Sequence, residues 1–185
     1  LFFLACSTTN DNAEDKYQTM EFNINFELLS LNPFIHNDLA INIPLNWEEI
    51  SSKQFDAMEK IFKQDTLMNS FNLIKGHSNS SSLILFSESD LLQKQHVLEN
   101  FTKKLEVSFP KKSTHKDKFT INGVKVDQFI ATNKTHTTFH LFIELDNLYL
   151  MEFLIPLETY EEQIQLIEST IGTIKKRKEN NESYS

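Results

Sequence analysis

The pattern of apolar positions is clearest in the last third of the chain. Apolar residues dominate Phe139 to Leu145 and Leu148 to Ile155, and only the polar pair Asp146-Asn147 separates the two runs. Runs of this length on either side of a two-residue polar turn are typical of an antiparallel hairpin. We therefore predict two paired strands here.

A helical period follows that hairpin. Four isoleucines recur three or four residues apart and would form one apolar stripe on a helix: Ile164, Ile167, Ile171 and Ile174. We predict a helix over 159–178 that lies across the sheet and ends in the basic run 175–178. Cations at that end would suit the negative end of the helix dipole. The alternative role for the basic run is contact with anionic lipid.

Other segments add helices and strands to this unit. Helical periods predict helices over 52–64 and 90–106, and a shorter one over 67–74 that ends before Gly76. Apolar runs or alternation of apolar and polar residues predict strands at 22–28, 39–43, 83–86 and 129–130.

The pair Asn122-Gly123 carries the strongest hairpin signal, because a type I′ turn needs positive φ at both central positions. The basic and polar stretch 111–118 predicts a loop. Together these patterns predict a single α/β (α+β) layer fold.

Composition removes several classes of function. The 185 residues suit one domain, and the net charge of −8 repels phosphate backbones, so we expect no nucleic-acid partner. Only three glycines are present, and no glycine-rich phosphate loop can be written with them. The one cysteine, Cys6, excludes an internal disulfide and a zinc site built from cysteines. We predict no cofactor.

The first residues predict a lipid anchor. The apolar stretch 1–5 ends in a small residue before Cys6, like the tail of a secretory signal peptide with a bacterial lipobox. The alternative is a buried N-terminal strand with an inert core cysteine. We predict that 1–5 is a signal-peptide remnant and that Cys6 is lipidated. Residues 6–21 would then be a flexible linker.

This anchor predicts a place in the cell. The chain would sit on the bacterial cell envelope, and outer membrane is favoured because Ser7 is not the aspartate that retains lipoproteins at the inner membrane in enterobacteria. The acidic residues Asp11, Glu14 and Asp15 fit either a surface-export signal of the kind seen in Bacteroidetes or an ordinary solvated linker.

The order of elements resembles the PsbP-like family, which includes the thylakoid extrinsic proteins and the Mog-type Ran-binding proteins. Two segments carry the resemblance: Ile43-Pro44-Leu45-Asn46-Trp47, and Tyr149 to Lys175 with its Pro156 and Tyr160. The resemblance implies an α-β-α sandwich with a central antiparallel sheet over 22–178, followed by a polar tail at 179–185. It also implies a role in binding or assembly, here in a Bacteroidetes-like lipoprotein. Neither photosystem nor Ran binding carries over.

Histidines offer little for a metal. His136 and His140 would lie about 13 Å apart along a strand, too far to share one ion. His36 with Asp38, and His115 with Asp117, supply two ligands at most. We predict no metal site.

Candidate catalytic residues are equally sparse. Serines cluster at 78–82 without an elbow motif, and the adjacent carboxylates Glu48-Glu49 and Glu161-Glu162 would splay into solvent. Trp47 would line a ligand groove or cover the end of the sheet as part of the core. We therefore predict no enzyme activity.

The leading hypothesis is a lipid-anchored, non-catalytic binding or assembly module that binds an unknown envelope protein. One alternative is a small envelope hydrolase or metal-dependent enzyme. The other is a carrier with an apolar cavity between helix and sheet.

Overall fold

The computed structural model describes residues 17–66, 68–110 and 113–177. The helices of these ranges are α1 (Ser52–Gln64), α2 (Lys94–Ser108) and α3 (Tyr160–Gly172). The strands are β1 (Gln18–Thr19), β2 (Phe34–His36), β3 (Leu39–Ile41), β4 (Glu48–Glu49), β5 (Asn72–Ser78), β6 (Leu83–Ser89), β7 (Thr114–Ile121), β8 (Val124–Thr132), β9 (His136–Glu144), β10 (Leu148–Pro156) and β11 (Lys175–Lys176). No helix in the described ranges is long and apolar enough to cross a membrane.

The strands form two sheets. The large one has eight strands in the order β1-β7-β8-β9-β10-β6-β5-β4, and the small one has the order β11-β3-β2. All neighbouring pairs are antiparallel except β1, which runs parallel to β7. The predicted α+β fold is confirmed.

Alternation along the strands gives the large sheet two apolar faces. On β9, Phe139, Leu141 and Ile143 point into one core, while Phe142 belongs to the other. The first core also contains the isoleucines of α3 and residues of the small sheet, and we call this side the α3 face. The second contains residues of α1 and α2, and we call it the α1–α2 face. The sheet therefore lies between helical layers.

Both hairpins form where they were predicted. Asn122 and Gly123 have φ of 50° and 79°, as a type I′ turn requires. The β9–β10 connection differs in length, because Glu144 pairs with Leu148 and three residues rather than two form the loop.

The helix prediction holds at α1 and shifts elsewhere. A capping box between Ser51 and Gln54 starts α1: each side chain accepts a hydrogen bond from the other residue's backbone N–H. The α2 helix begins at Lys94 rather than at residue 90, because a short 3₁₀ turn occupies Leu91–Gln93.

The final helix is shorter than predicted. It ends at Gly172, and the basic residues beyond it form β11, which pairs with β3. Ile174 lies after the helix but is fully buried. Its place in the apolar pattern therefore reflects burial in the core and not a continuing helix. The helix-dipole role for the basic run was therefore wrong.

Three other segments also differ from prediction. The predicted helix at 67–74 is instead a turn at 68–70 followed by the first three residues of β5, which pairs with both β4 and β6. The predicted loop at 111–118 contributes residues from Thr114 onward to β7. The predicted strand at 22–28 ends in a 3₁₀ turn, Phe26–Leu28, and its remaining residues cross α3 without joining a sheet. In each case long-range packing outweighs the local pattern.

The N-terminal boundary of the fold is earlier than predicted. Gln18 and Thr19 pair with β7, so residues from 17 onward belong to the folded unit and the predicted linker 6–21 overlaps it. Cys6, the predicted signal-peptide remnant 1–5 and the predicted tail 179–185 lie outside the described residues.

Candidate functional site

A cleft of about 310 Å³ opens on the α1–α2 face, between the two helices and the sheet. Its lining is mostly apolar: Ile61, Phe62, Asp65, Met68, Phe101, Lys104, Leu105, Ser108, Phe109, Thr138, His140 and Glu152. We call it the α1–α2 cleft. This volume is at the lower end of the range for small-molecule pockets, about 300–1,000 Å³.

The helical period explains how the walls form. Phe101 and Leu105 are four residues apart on α2, so both project from the same side of the helix toward the sheet. Phe62 faces them from α1, and Ile61 beside it is 65% exposed at the mouth. The two helices thus supply apolar walls but do not close over the sheet between them.

The floor of the cleft is polar. His140 on β9 lies directly opposite Glu152 on β10, and its Nδ1 is 2.8 Å from Glu152 Oε1. The ring of Phe101 meets the His140 ring edge-on, with 4.7 Å between centroids. Both polar side chains are mostly buried, at 14% and 18% exposure.

One atom of each floor residue stays available. In the described part of the chain, His140 Nε2 and Glu152 Oε2 have no hydrogen-bond partner, and neither is among the buried polar atoms that lack one. Each atom therefore keeps some exposed surface, and both residues line the cleft. When the imidazole is neutral, the carboxylate favours the proton on Nδ1, so Nε2 is an acceptor. The floor then presents two acceptors and one negative charge.

The rim carries an ion pair between Lys104 of α2 and Asp65, which follows α1. This pair links the two helices across the mouth. The Thr138 hydroxyl, near the floor, donates to the backbone oxygen of Ala131 at 3.2 Å. The rim charges cancel, so the net charge of the cleft comes from Glu152.

A second polar cluster on the same face anchors α2 and the N-terminal segment. Lys94 Nζ lies 2.9 Å from Asp127 Oδ2 and 2.7 Å from Glu144 Oε2, and it donates to the Tyr17 hydroxyl at 2.8 Å. Burial opposes the charge of Lys94, but these bonds outweigh burial and raise its pKa above the ordinary value. Burial also raises the pKa of Tyr17. Asp127 is fully buried, and the cluster ties α2 to β8, β9 and Tyr17 as a structural clamp.

A wider, polar cleft of about 480 Å³ lies at another end of the sheet. Its lining is entirely polar or charged: Ser70, Asn72, Glu88, Ser89, Asp90, Gln93 and Asn147. One oxygen of its central carboxylate, Glu88, is already engaged by His36 at 3.0 Å and Asn37 at 3.2 Å. Since it offers no apolar wall, we take the α1–α2 cleft as the candidate site.

Trp47 lines neither of these two clefts. It is 7% exposed and belongs to the core of the α3 face, which is the core alternative stated for it. The other site prediction, Cys6, lies outside the described residues.

Four of the six histidines each contact one carboxylate or hydroxyl. His140 contacts Glu152, His36 contacts Glu88, and His115 Nε2 is 2.7 Å from Asp117. His136 contacts Thr135. Among residues 17–66, 68–110 and 113–177, no three His, Cys, Asp or Glu side chains converge as a metal site would require.

Sequence reasoning missed the pairing of His140 with Glu152. The sequence analysis considered His140 only as a metal ligand, and the residue opposite it depends on the register of the hairpin. A two-residue turn would have given a different partner from the three-residue loop that forms.

Comparison with known proteins gives neighbours of low similarity. No family model matches the chain, and no curated protein matches it. A solved structure from Bacteroides thetaiotaomicron is similar with a TM-score of 0.42 and 15% identity over 81% of this chain. This chain spans 50% of that protein's length. PA94, a Pseudomonas aeruginosa protein of unknown function, has a TM-score of 0.41 and 11% identity, with 82% and 99% of the two chains covered.

Proposed function

We propose that this chain is a non-catalytic binding module that holds a small molecule in the α1–α2 cleft and is tethered to the bacterial cell envelope through Cys6. The observation that carries the binding role is a cleft with apolar walls and a floor of two open polar atoms. This combination of apolar walls and a few placed polar groups is typical of small-molecule sites.

The cleft favours the carrier alternative over the binding of another protein. A volume of about 310 Å³ between two helices suits a compact molecule or a single side chain, whereas a stable protein interface needs a broad surface. The apolar residues exposed elsewhere, such as Leu31, Leu92 and Val107, do not line either cleft described above.

A second candidate function is catalysis by the same floor residues. His140 and Glu152 at 2.8 Å have the geometry of an oriented general base in an apolar site. Two hydroxyls line the cleft, but Thr138 donates to Ala131 and Ser108 makes no hydrogen bond to His140 among the described residues, so neither is held as a nucleophile by this base. Binding is the simpler role because it needs no third group.

The tether rests on the sequence around Cys6. An apolar run, a small residue, a cysteine and a polar stretch follow one another in the order of a lipobox. The described part of the domain begins at Tyr17, so the short polar segment 7–16 would connect the lipid on Cys6 to the fold. In labelling with a radioactive fatty acid, Cys6→Ala should abolish incorporation and release the protein from the membrane fraction.

We also propose that the domain is PsbP-like. The sheet lies between helices, and Ile43 and Trp47 pack into the core at its α3 face. Both features support the resemblance.

The binding role is tested with N-phenylnaphthylamine, a non-basic fluorophore that brightens in apolar cavities. Wild type should bind it saturably, with one molecule per chain. Ile61→Trp places a large ring at the mouth of the cleft and should weaken binding at least about tenfold. Leu92→Trp is the matched control, because it adds the same ring at an exposed position that does not line the cleft. Equal binding by all three proteins would refute the site.

A further inference from the structure

The polar floor of the α1–α2 cleft points to the chemical class of the ligand. We propose that the cleft binds a small amphipathic amine, with its ammonium group at His140 and Glu152 and its apolar body between the helices. This inference rests on the proposed binding function and adds the identity of the group that is recognised.

The position of the polar atoms sets the orientation of the ligand. Polar atoms lie at the floor, on the strands, and apolar side chains of α1 and α2 lie above them. A ligand with a polar head and an apolar body must therefore enter head first. A ligand that placed hydrocarbon on the floor would cover Glu152 Oε2 and leave that oxygen without a hydrogen-bond partner, which is costly.

The two open polar atoms of the floor are acceptors, so they favour a ligand group that donates hydrogen bonds. Glu152 Oε2 accepts only, and His140 Nε2 accepts when Nδ1 carries the proton. An ammonium group has three N–H donors and can satisfy both acceptors at once. A hydroxyl has one donor and can satisfy only one of them. A carboxylate has none and would face Glu152 with a like charge.

The charge of the cleft favours a cation. The rim pair of Lys104 and Asp65 is neutral in sum, so with a neutral His140 the Glu152 carboxylate leaves the cleft with a net negative charge. The ring of Phe101 lies beside this floor, with its centroid 4.7 Å from that of His140. A charge-assisted hydrogen bond to Glu152 would add to this attraction.

The test compares three ligands that share one hydrocarbon body. Phenethylamine, phenethyl alcohol and phenylacetate are titrated into the wild-type protein by calorimetry. The amine should bind about tenfold or more tightly than the alcohol, and phenylacetate should bind most weakly. In nitrogen-detected NMR, the ring signal of His140 Nε2 should shift only with the amine.

Two variants test whether Glu152 causes the preference for the amine. Glu152→Gln keeps the shape of the floor but removes its charge, and it should lose the preference for the amine. Glu161→Gln removes the same charge from an exposed site on α3, across the sheet, and should keep that preference. The NMR shift of His140 in the wild type provides the test if Glu152→Gln does not fold.

Each other outcome overturns the inference. Equal binding of the three ligands, tightest binding of phenylacetate, or an amine preference that survives Glu152→Gln would contradict recognition by the floor. If N-phenylnaphthylamine binds but phenethylamine does not, the amine inference fails while the binding function stands. If neither molecule binds, both fail.

Discussion

The two faces of the large sheet are built from the same strands, yet one is closed and the other is open. On the α3 face, successive inward positions of β10 are Tyr149, Met151, Phe153 and Ile155, and each is at most 1% exposed. On the α1–α2 face, the same strand presents Leu148 and Leu150 and then Glu152. One polar residue in the alternation therefore coincides with the cleft.

The difference also lies in what covers each face. The α3 face is covered by a helix, by the small sheet and by the N-terminal segment, whose Phe22 and Ile24 lie against Gly172. The other face is covered by two helices joined at the rim by Lys104 and Asp65. Complete cover gives a core that supports stability, whereas two separated helices leave room for a ligand.

The largest expected loss of stability comes from a substitution in the core of the closed face. Phe153→Ala should lower the free energy of unfolding by about 3–5 kcal/mol, because the ring is fully buried and its loss leaves a closed cavity. Phe62→Ala, in the wall of the cleft, should cost only about 1.5–3 kcal/mol, because the space joins a cleft already open to water. Urea denaturation measures both. Equal costs would remove the distinction between the faces.

The next effect concerns the clamp beside the cleft. Asp127→Ala removes a fully buried carboxylate and leaves Lys94 with Glu144 as its remaining carboxylate partner, so the free energy of unfolding should fall by about 3 kcal/mol. Adding Lys94→Met should recover part of the loss, because in Asp127→Ala the burial of Lys94 is opposed by only one of its two carboxylate partners. A double-mutant cycle in urea measures this coupling, and additive losses would show that the two charges do not interact.

A smaller effect tests the cover of the closed face. Gly172→Ala would place its Cβ 2.6 Å from Ile24 Cγ1 and 2.9 Å from Phe22 Cβ. The segment must shift, at a cost of about 1–3 kcal/mol. Hydrogen exchange should show faster exchange near residue 24 and no change in the cleft. Unchanged protection there would mean that this segment does not seal the face.

The smallest effect is a dependence on pH within the closed face. Both ring nitrogens of His77 are buried without a hydrogen-bond partner among the described residues, between Phe34 and Phe86. Burial lowers its pKa, Lys75 lowers it further, and Glu49 opposes them.

Because the folded pKa is below the unfolded value of about 6.5, the unfolded chain binds more protons as the pH falls through that value. His77 therefore makes the folded state lose stability on acidification, by at most about 1.4 kcal/mol per pH unit. In urea denaturation between pH 7.5 and 5.5, wild type should lose more stability than His77→Phe. Parallel curves for the two proteins would exclude this role.

The fold was predictable where local and long-range preferences agree. The Asn122-Gly123 turn, the β9–β10 hairpin and α1 each carry their own signal, in turn chemistry, alternation or a capping box. Sequence reasoning failed where the pairing of strands distant in sequence determines the secondary structure. The residues of β11 follow a helical pattern but pair with β3, and Ile74, the last apolar residue of the helical pattern over 67–74, lies in β5 between two strands.

The candidate site was predictable only as a class. The sequence offered an apolar cavity between helix and sheet only as part of one alternative, a carrier, and the α1–α2 cleft is built from residues of several segments. Its floor needs the register that sets His140 opposite Glu152, and its walls need the distance between α1 and α2. Neither the register nor the distance between the helices can be derived from the local spacing of residues in the sequence.

The most direct test of the account is an NMR titration of wild-type protein, labelled at its methionine and isoleucine methyl groups, with phenethylamine. The account predicts saturable shifts at Met68 and Ile61, which line the cleft, and unchanged signals from Ile167 and Ile171 in the core of the α3 face. Absence of saturable shifts at Met68 and Ile61, or shifts centred on the α3 face, would contradict it.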